Sequence, residues 1–138
     1  MQTRLLVETR GPGLVELTDR AAAFVAAGGV ADGLLTLFVR HTSCSLLIQE
    51  NADPSVRADL EAFLARLVPP ADAPGQGWIT HRAEGPDDMP AHLKAALLPT
   101  SLAIPVSGGR LALGTWQGIY LWEHRSCPHR REVVAHLA

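Results

Sequence analysis

Short apolar runs dominate the chain and predict more strands than helices. Apolar, mostly β-forming residues occupy positions 4–8, 14–17, 34–39, 45–49, 102–106, 111–113, 119–123 and 133–137, and a short strand is also expected at 78–80. The glycines and proline at 11–13, between the first two runs, predict a β-hairpin. The run at 34–39, LLTLFV, is continuously apolar, which is typical of a strand buried on both faces.

Three helices are predicted from apolar spacing and capping residues. The first covers residues 20–27 with Asp19 as its N-cap, and the third covers residues 89–98 with Asp88 as its N-cap. The second begins after Asp53 and Pro54, which favour an N-cap and a first helical turn. Its predicted buried face consists of Val56, Leu60, Phe63, Leu64 and Leu67, with Arg57 and Glu61 paired on the other face. Strands that mostly follow strands, with about three helices, predict an α+β fold with mainly antiparallel sheet, and the length predicts a single domain over residues 1–138.

Composition and charge exclude several classes of function. The chain has 138 residues, 19 % of them charged, with a formal net charge of −2 and no block of lysine and arginine. It therefore lacks the positive field of a general nucleic-acid or anionic-membrane binder. No apolar run approaches the ~20 residues of a membrane span, and no signal-peptide core is present, so we expect a cytoplasmic protein. Cys44 and Cys127 fit no metal or redox spacing and are predicted to be free thiols.

The segment HRAEGPDDMPAH, residues 81–92, concentrates two histidines and three carboxylates. Asp88 and His92 are four residues apart at a predicted helix start, so they can share one side of the helix. The positive end of that helix favours a neutral His92 imidazole, as a metal ligand or a general base requires. His81, Asp88 and His92 can hold a divalent metal such as Mg²⁺ or Zn²⁺, and acid–base catalysis by the same groups is an equally open interpretation. Asp88 as a simple helix cap is the structural alternative.

Other segments supply further candidates for a site. His41 follows a predicted buried strand at a sheet rim, where it can take part in catalysis or simply bind its own loop. The segment GGRLALGTWQG, residues 108–118, has neither Walker nor Rossmann spacing, so no nucleotide cofactor is expected. Substrate-binding candidates are Asn51, Arg110, Trp116, Gln117 and Arg125, with arginines for phosphate and tryptophan for ring stacking. The structural alternatives are a core tryptophan and a surface ion pair between Glu123 and Arg125.

Three segments carry a family resemblance: HTSCSLLIQENADPSVRADLEAFL, HRAEGPDDMPAHLKAALL and SLAIPVSGGRLALGTWQGIYLWEHR. In order and spacing they resemble the YjbQ-like family, also called the secondary thiamine-phosphate synthase family, over residues 3 to 137. The resemblance implies sandwiched antiparallel sheets with a few helices, and a homotrimer with polar clefts between subunits. The chain departs from the family pattern at residues 43–45, Ser-Cys-Ser, where another threonine and small apolar residues are usual.

The resemblance also implies a chemistry. It points to the condensation of a hydroxymethylpyrimidine diphosphate with a thiazole phosphate, which releases diphosphate from a small phosphorylated substrate. His41, His81, Glu84 and His92 are then the catalytic candidates, with Mg²⁺ held by carboxylates of the 81–92 segment. Two alternatives from other classes stay open: a metal-dependent hydrolase of a small phosphorylated or acylated metabolite, and a non-enzymatic trimer that binds an anionic metabolite.

Overall fold

Two antiparallel sheets pack face to face in the computed structural model, which describes residues 1–138. The five-stranded sheet has the order β1-β8-β3-β5-β6 and the three-stranded sheet the order β2-β7-β4. The elements are β1 (Gln2–Thr9), β2 (Gly13–Glu16), α1 (Thr18–Gly28), β3 (Gly33–Val39), β4 (Cys44–Glu50), α2 (Pro54–Leu67), α3 (Asp88–Leu97), β5 (Ser101–Ser107), β6 (Arg110–Leu111), β7 (Gln117–Glu123) and β8 (His129–Leu137). The predicted α+β class, the antiparallel sheets and the three helices are confirmed.

The hydrophobic core lies between the two sheets. Each strand turns alternate residues inward, so Leu35 and Leu37 of β3, Leu46 of β4 and Leu121 of β7 belong to one cluster of 17 buried residues. α1 adds Ala21 and Val25 to this cluster, and its Phe24 packs against it. On its other side, the three-stranded sheet turns the even-numbered residues of β7 towards α2 and α3. None of the helices has the length and apolar character needed to cross a membrane.

Several strand predictions are wrong. β1 and β2 form no hairpin, because β1 pairs with β8 and β2 pairs with β7, so the glycines at 11 and 13 carry the chain from one sheet to the other. Residues 78–80 form a turn rather than a strand, and Trp78 is exposed. β3 is not buried on both faces: Leu34 and Phe38 are 43 % and 47 % exposed on the outer side of the five-stranded sheet.

The caps of the helices differ from prediction in two of three cases. Asp53 caps α2 as predicted, because its side chain accepts from the Ser55 amide at 2.9 Å. Asp19 lies inside the first turn of α1, which has no side-chain cap. Asp88 is the first residue of α3 and makes no cap bond, since its carboxylate is bound elsewhere.

The predicted buried face of α2 is only partly right. Leu64 is fully buried and Val56 and Leu60 are half-buried, but Phe63 and Leu67 are 62 % and 55 % exposed. Arg57 does not pair with Glu61 but lies over the Tyr120 ring, with the guanidinium carbon 5.3 Å from the ring centroid. The helix is therefore rotated so that Arg57 covers part of the sheet and Phe63 does not.

A buried histidine makes stability depend on pH. His124 is 3 % exposed and its Nε2 lies 2.9 Å from Ser45 Oγ. Burial, with a smaller effect of the Lys94 charge, lowers the pKa of His124 to about 4 from an ordinary 6.5. The unfolded chain therefore binds a proton below pH 6.5 that the folded chain takes up only near pH 4. We expect unfolding free energy to fall by about 3 kcal/mol as pH drops across this window, an order-of-magnitude figure.

Urea unfolding of the wild type and His124→Gln at pH 7 and pH 4 tests this expectation. The variant should lose less stability than the wild type between the two pH values, because it has no imidazole to protonate. His136→Gln is the matched control, since His136 is exposed and should leave the wild-type slope unchanged. Equal slopes for the wild type and His124→Gln would contradict the assignment.

Candidate functional site

Three side chains of the 81–92 segment converge at the start of α3. His81 Nε2 lies 2.6 Å and His92 Nε2 lies 3.4 Å from the same Asp88 oxygen, Oδ2. One donor atom from each residue lies within 4.8 Å of the others. The Asp88 side chain is 2 % exposed, whereas those of His81 and His92 are 47 % and 33 % exposed. A buried carboxylate thus forms the floor of a small site with two imidazoles at its opening.

Local backbone structure brings these three residues together. Asp88 and His92 lie one helical turn apart on the same side of α3. Gly85, with a φ of 100°, turns the chain so that His81 folds back over the helix start. Arg82 holds that turn by donating to three backbone carbonyls, those of Ile79, Ala71 and Gln76, at 2.7–3.0 Å. Sequence reasoning missed Arg82, because its partners are backbone oxygens that no residue pattern marks.

Arg125 holds the carboxylates in place from the end of β7. Its Nη1 lies 3.0 Å from Asp88 Oδ1 and its Nε lies 2.8 Å from Asp87 Oδ2. Burial alone would raise the pKa of Asp88, but the hydrogen bond with His81 and the charges of His92 and Arg125 hold it below its usual range. The carboxylate is therefore ionised at neutral pH. The Glu123–Arg125 ion pair, the structural alternative for this arginine, does not form, since Arg125 binds Asp87 and Asp88.

The orientation of His92 fixes where its proton lies. Its Nδ1 is 3.0 Å from the Thr42 carbonyl oxygen, which can only accept, so we assign a hydrogen to Nδ1. In the neutral ring, the Nε2 lone pair then points towards the negative Asp88 Oδ2 at 3.4 Å. That arrangement is repulsive unless a cation lies between the two atoms or Nε2 is itself protonated. The site can therefore hold a metal ion or an imidazolium.

The donor set suits a divalent metal with nitrogen and oxygen ligands. Ligands ~2.0–2.1 Å from a tetrahedral zinc lie roughly 3.3 Å apart, close to the 3.4 Å between His92 Nε2 and Asp88 Oδ2. The 2.6 Å between His81 and Asp88 is a hydrogen-bond distance and would have to lengthen. His81 is half exposed and can turn to allow this. Three protein ligands with an open side match catalytic rather than structural metal sites.

Glu84 and His41 lie outside this donor set. The Glu84 side chain is exposed at the rim, and its backbone carbonyl accepts from Arg125 at 3.2 Å. His41 Nε2 accepts from the Glu132 amide at 2.8 Å, in a shallow pocket on the five-stranded sheet beside Arg4 and Arg130. Burial, followed by the charge of Arg131, lowers the pKa of His41. The His41 ring thus binds backbone, as the structural alternative expects, but that of β8 rather than of its own loop.

Three of the remaining predicted substrate-binding residues, Asn51, Trp116 and Gln117, lie at the far end of the three-stranded sheet, whereas Arg110 lies on β6, the edge strand of the five-stranded sheet. The backbone N–H of Asn51 donates to the backbone carbonyl of Trp116 at 3.0 Å, and Gln117 lines the same cleft as Arg110. The pairing of β4 with β7 runs from Cys44 opposite Glu123, beside the His–Asp cluster, to Glu50 opposite Gln117. Six residue steps along a strand span about 20 Å. Within one protomer, only Arg125 of the five predicted substrate-binding residues touches the cluster.

The two cysteines have no part in this site. Both are free, as predicted, with Cys44 buried and Cys127 exposed. Burial raises the pKa of the Cys44 thiol to about 12, so it is protonated and unreactive at neutral pH.

Comparisons with known proteins cover the whole fold and the site. The sequence model of the family described as UPF0047 protein YjbQ-like matches residues 3–138. A UPF0047 protein of Synechocystis sp. is 52 % identical over 137 residues, which is 99 % of this chain and 90 % of that protein. UPF0047 protein YjbQ of Escherichia coli O157:H7 is 50 % identical over 105 residues, 76 % of this chain and 72 % of that protein. The crystal structure of an uncharacterized YjbQ/UPF0047-family protein of Clostridium acetobutylicum superposes with a TM-score of 0.84 at 31 % identity, covering 100 % and 99 % of the two chains.

Proposed function

The chain belongs to the YjbQ-like UPF0047 family, and we propose that it is a metal-dependent enzyme acting on a small phosphorylated substrate. His81, Asp88 and His92 are the proposed ligands of a divalent ion. The orientation of the His92 ring is the main support for this proposal. Its Nδ1 donates to the Thr42 carbonyl, and its Nε2 faces the ionised Asp88 oxygen at 3.4 Å. A cation between these two atoms removes the repulsion and uses all three donors.

The surrounding residues position the proposed ligands. The Thr42 carbonyl sets the tautomer of His92, and Arg125 sets the orientation of Asp88, as outer partners do in known metal sites. A bound divalent ion would neutralise charge on a phosphoryl or diphosphate group. Glu84, exposed at the rim, is the proposed group for moving a proton to or from the substrate.

The finer proposal is a thiamine-phosphate synthase-like transfer. The thiazole nitrogen forms a bond to the pyrimidine methylene carbon while the carbon–oxygen bond to diphosphate breaks, and diphosphate leaves with the electron pair. This reaction needs its leaving-group charge stabilised, which a metal at the cluster supports. Hydrolysis is the second candidate, supported by the exposure of His81 and His92, which leaves the ligand side open to water.

A release assay separates these functions. We expect the wild type with Mg²⁺ or Zn²⁺ to release diphosphate from the pyrimidine diphosphate only when the thiazole phosphate is also present. Release without the thiazole phosphate would favour the hydrolase. If the metal binds but nothing is released under either condition, the non-enzymatic anion-binding protein is favoured. Equal trace rates for the wild type and His92→Ala would mean that the activity comes from a contaminant.

We also propose that the protein is a homotrimer whose site is shared between subunits. Asn51, Trp116 and Gln117 lie about 20 Å from the His–Asp cluster along the three-stranded sheet, and Arg110 lines a cleft with Gln117, so a neighbouring copy is needed to bring them to a substrate held at the cluster. The outer face of the five-stranded sheet is suited to the contact. It exposes Phe38, whose cross-strand neighbour is Val134, and Leu34, whose cross-strand neighbour is Pro105.

Light scattering coupled to size-exclusion chromatography tests the assembly. We expect a trimer for the wild type and a monomer for Phe38→Asp, because a charge at the centre of the apolar contact is strongly unfavourable. Phe63→Asp is the matched control, since Phe63 is equally apolar and 62 % exposed but lies on α2. A monomeric wild type contradicts the trimer, and dissociation by Phe63→Asp alone would assign the contact to α2.

A further inference from the structure

A second pocket lies between α2, α3 and the three-stranded sheet, with a volume of about 240 Å³. Its lining includes Glu61, Leu64, Lys94, Trp122 and His124. We propose that this pocket binds a small zwitterion with one carboxylate and one primary ammonium, an α-amino acid with an aliphatic side chain. This inference is independent of the proposed metal-dependent activity.

The pocket is separate from the His–Asp cluster because the two use different sides of α3. Asp88 and His92 are spaced i, i+4 and share one side of the helix, whereas Asp87, Pro90 and Lys94 follow i, i+3, i+7 and line the pocket. Successive helical residues point 100° apart. A molecule in the pocket therefore reaches Lys94 without touching the cluster.

His124 provides a buried hydrogen-bond donor without an acceptor. Ser45 is fully buried and the only side-chain hydrogen-bond partner of its hydroxyl is His124 Nε2, at 2.9 Å. If Nε2 carried the hydrogen, the serine proton would have no acceptor, so the hydroxyl donates to Nε2 and the hydrogen lies on Nδ1. Nδ1 is buried and makes no hydrogen bond. Buried polar groups in native proteins nearly always have a partner. Nδ1 itself has almost no exposed surface, so a ligand carboxylate pairs with Lys94 first and reaches Nδ1 only when the lining side chains shift.

Two unpaired charges of opposite sign line the same pocket. Lys94, the only lysine in the chain, is half-buried and Glu61 is exposed at the pocket mouth, and neither takes part in an ion pair. The other carboxylates of the lining are engaged, Asp87 by Arg125 and Glu123 by Arg131. A simple anion would satisfy Lys94 but meet the charge of Glu61, and a simple cation would do the reverse. A molecule with both charges satisfies both residues.

The size and walls of the pocket restrict the ligand further. Since a water occupies about 30 Å³ of liquid, 240 Å³ corresponds to roughly eight waters. That is room for a single amino acid but less than the 300 Å³ or more typical of drug-sized ligands. Leu64, Val68 and Trp122 form the apolar part of the lining, which favours an aliphatic side chain such as that of leucine.

Calorimetric titration with three matched probes tests the proposal. L-Leucine carries both charges, leucinamide lacks the carboxylate, and 4-methylpentanoate lacks the ammonium. We expect leucine to bind at least 10-fold more tightly than either analogue. Lys94→Met should remove the preference for leucine over leucinamide, and Glu61→Gln should remove its preference over 4-methylpentanoate. Arg66→Met and Asp59→Asn, at exposed positions of α2, should retain both preferences.

The outcomes are decisive for each part of the inference. If leucine does not bind to the folded wild type, the proposed amino-acid site is wrong. If 4-methylpentanoate binds as tightly as leucine, the pocket does not require the ammonium group. Binding that survives both Lys94→Met and Glu61→Gln places the ligand elsewhere. The His92→Ala variant should bind leucine with unchanged affinity, so failure of the metal proposal and failure of this one are distinguishable.

Discussion

If His81, Asp88 and His92 bind a divalent metal as proposed, replacing Asp88 by asparagine is expected to lower the affinity for that metal by at least 100-fold. Asp88 supplies the only carboxylate of the donor set, and both imidazoles face the same Oδ2 atom. Asparagine keeps the shape and can still accept from Arg125, but it lacks the negative charge that offsets a divalent ion. Loss of outer partners in known metal sites costs 10–100-fold, so loss of a charged ligand should cost more.

A graded series of variants distinguishes a ligand from a general structural effect. Asp87→Asn weakens the ion pair with Arg125, the residue that orients Asp88. This variant should therefore reduce metal affinity by about 10–100-fold. Asp59→Asn, exposed on α2, should change nothing. Metal content by mass spectrometry and affinity by titration calorimetry give the readout, with circular dichroism to show that each variant folds. Unchanged metal affinity in folded Asp88→Asn would contradict the assignment of Asp88 as a ligand and place the metal elsewhere.

The local part of the site was predictable from the sequence. Helical spacing alone places Asp88 and His92 on one side of α3, and the density of titratable groups marks residues 81–92. The position of His81 was not predictable. It depends on the turn at Gly85 and on Arg82, whose three hydrogen bonds go to backbone carbonyls that carry no residue identity.

Contacts between distant segments were the main source of error. Arg125 reaches Asp87 and Asp88 from the end of β7, and Glu123 binds Arg131 of β8, so the expected pair of sequence neighbours does not form. A residue pattern gives the period of a strand or helix but not the surface that it meets. The same limit explains α2, where Phe63 and Leu67 were predicted to be buried but are exposed, and Arg57 covers the Tyr120 ring instead.

The buried ion pair between Glu123 and Arg131 gives the largest expected effect on stability. The two side chains are 0 % and 4 % exposed, and Arg131 Nε donates to Glu123 Oε2 at 2.7 Å. Thr9 donates a further hydrogen bond to the same carboxylate at 2.7 Å. Arg131→Met leaves the Glu123 charge buried without its partner, and we expect it to lower unfolding free energy by about 3–5 kcal/mol.

A double variant separates the charge from the packing. Glu123→Leu combined with Arg131→Met removes both charges and should be more stable than Arg131→Met alone, because buried ion pairs often tolerate apolar replacement. Arg40→Met is the matched control. It breaks an exposed ion pair with Glu132, whose atoms are 2.8 Å apart, and should cost no more than about 1 kcal/mol.

Acid should act on the same pair. Burial alone would raise the pKa of Glu123, but hydrogen bonds from Arg131, Thr9 and the Arg125 amide hold it below its ordinary 4.5. A carboxyl with a lowered folded-state pKa contributes stability that is complete above pH 4.5 and is lost as pH falls through the folded value. Urea unfolding of the wild type and the double variant at pH 7 and pH 3 measures this contribution. The double variant should lose less stability in acid, because it has no carboxylate at position 123 to protonate, and an equal loss in both proteins would contradict the role assigned to Glu123.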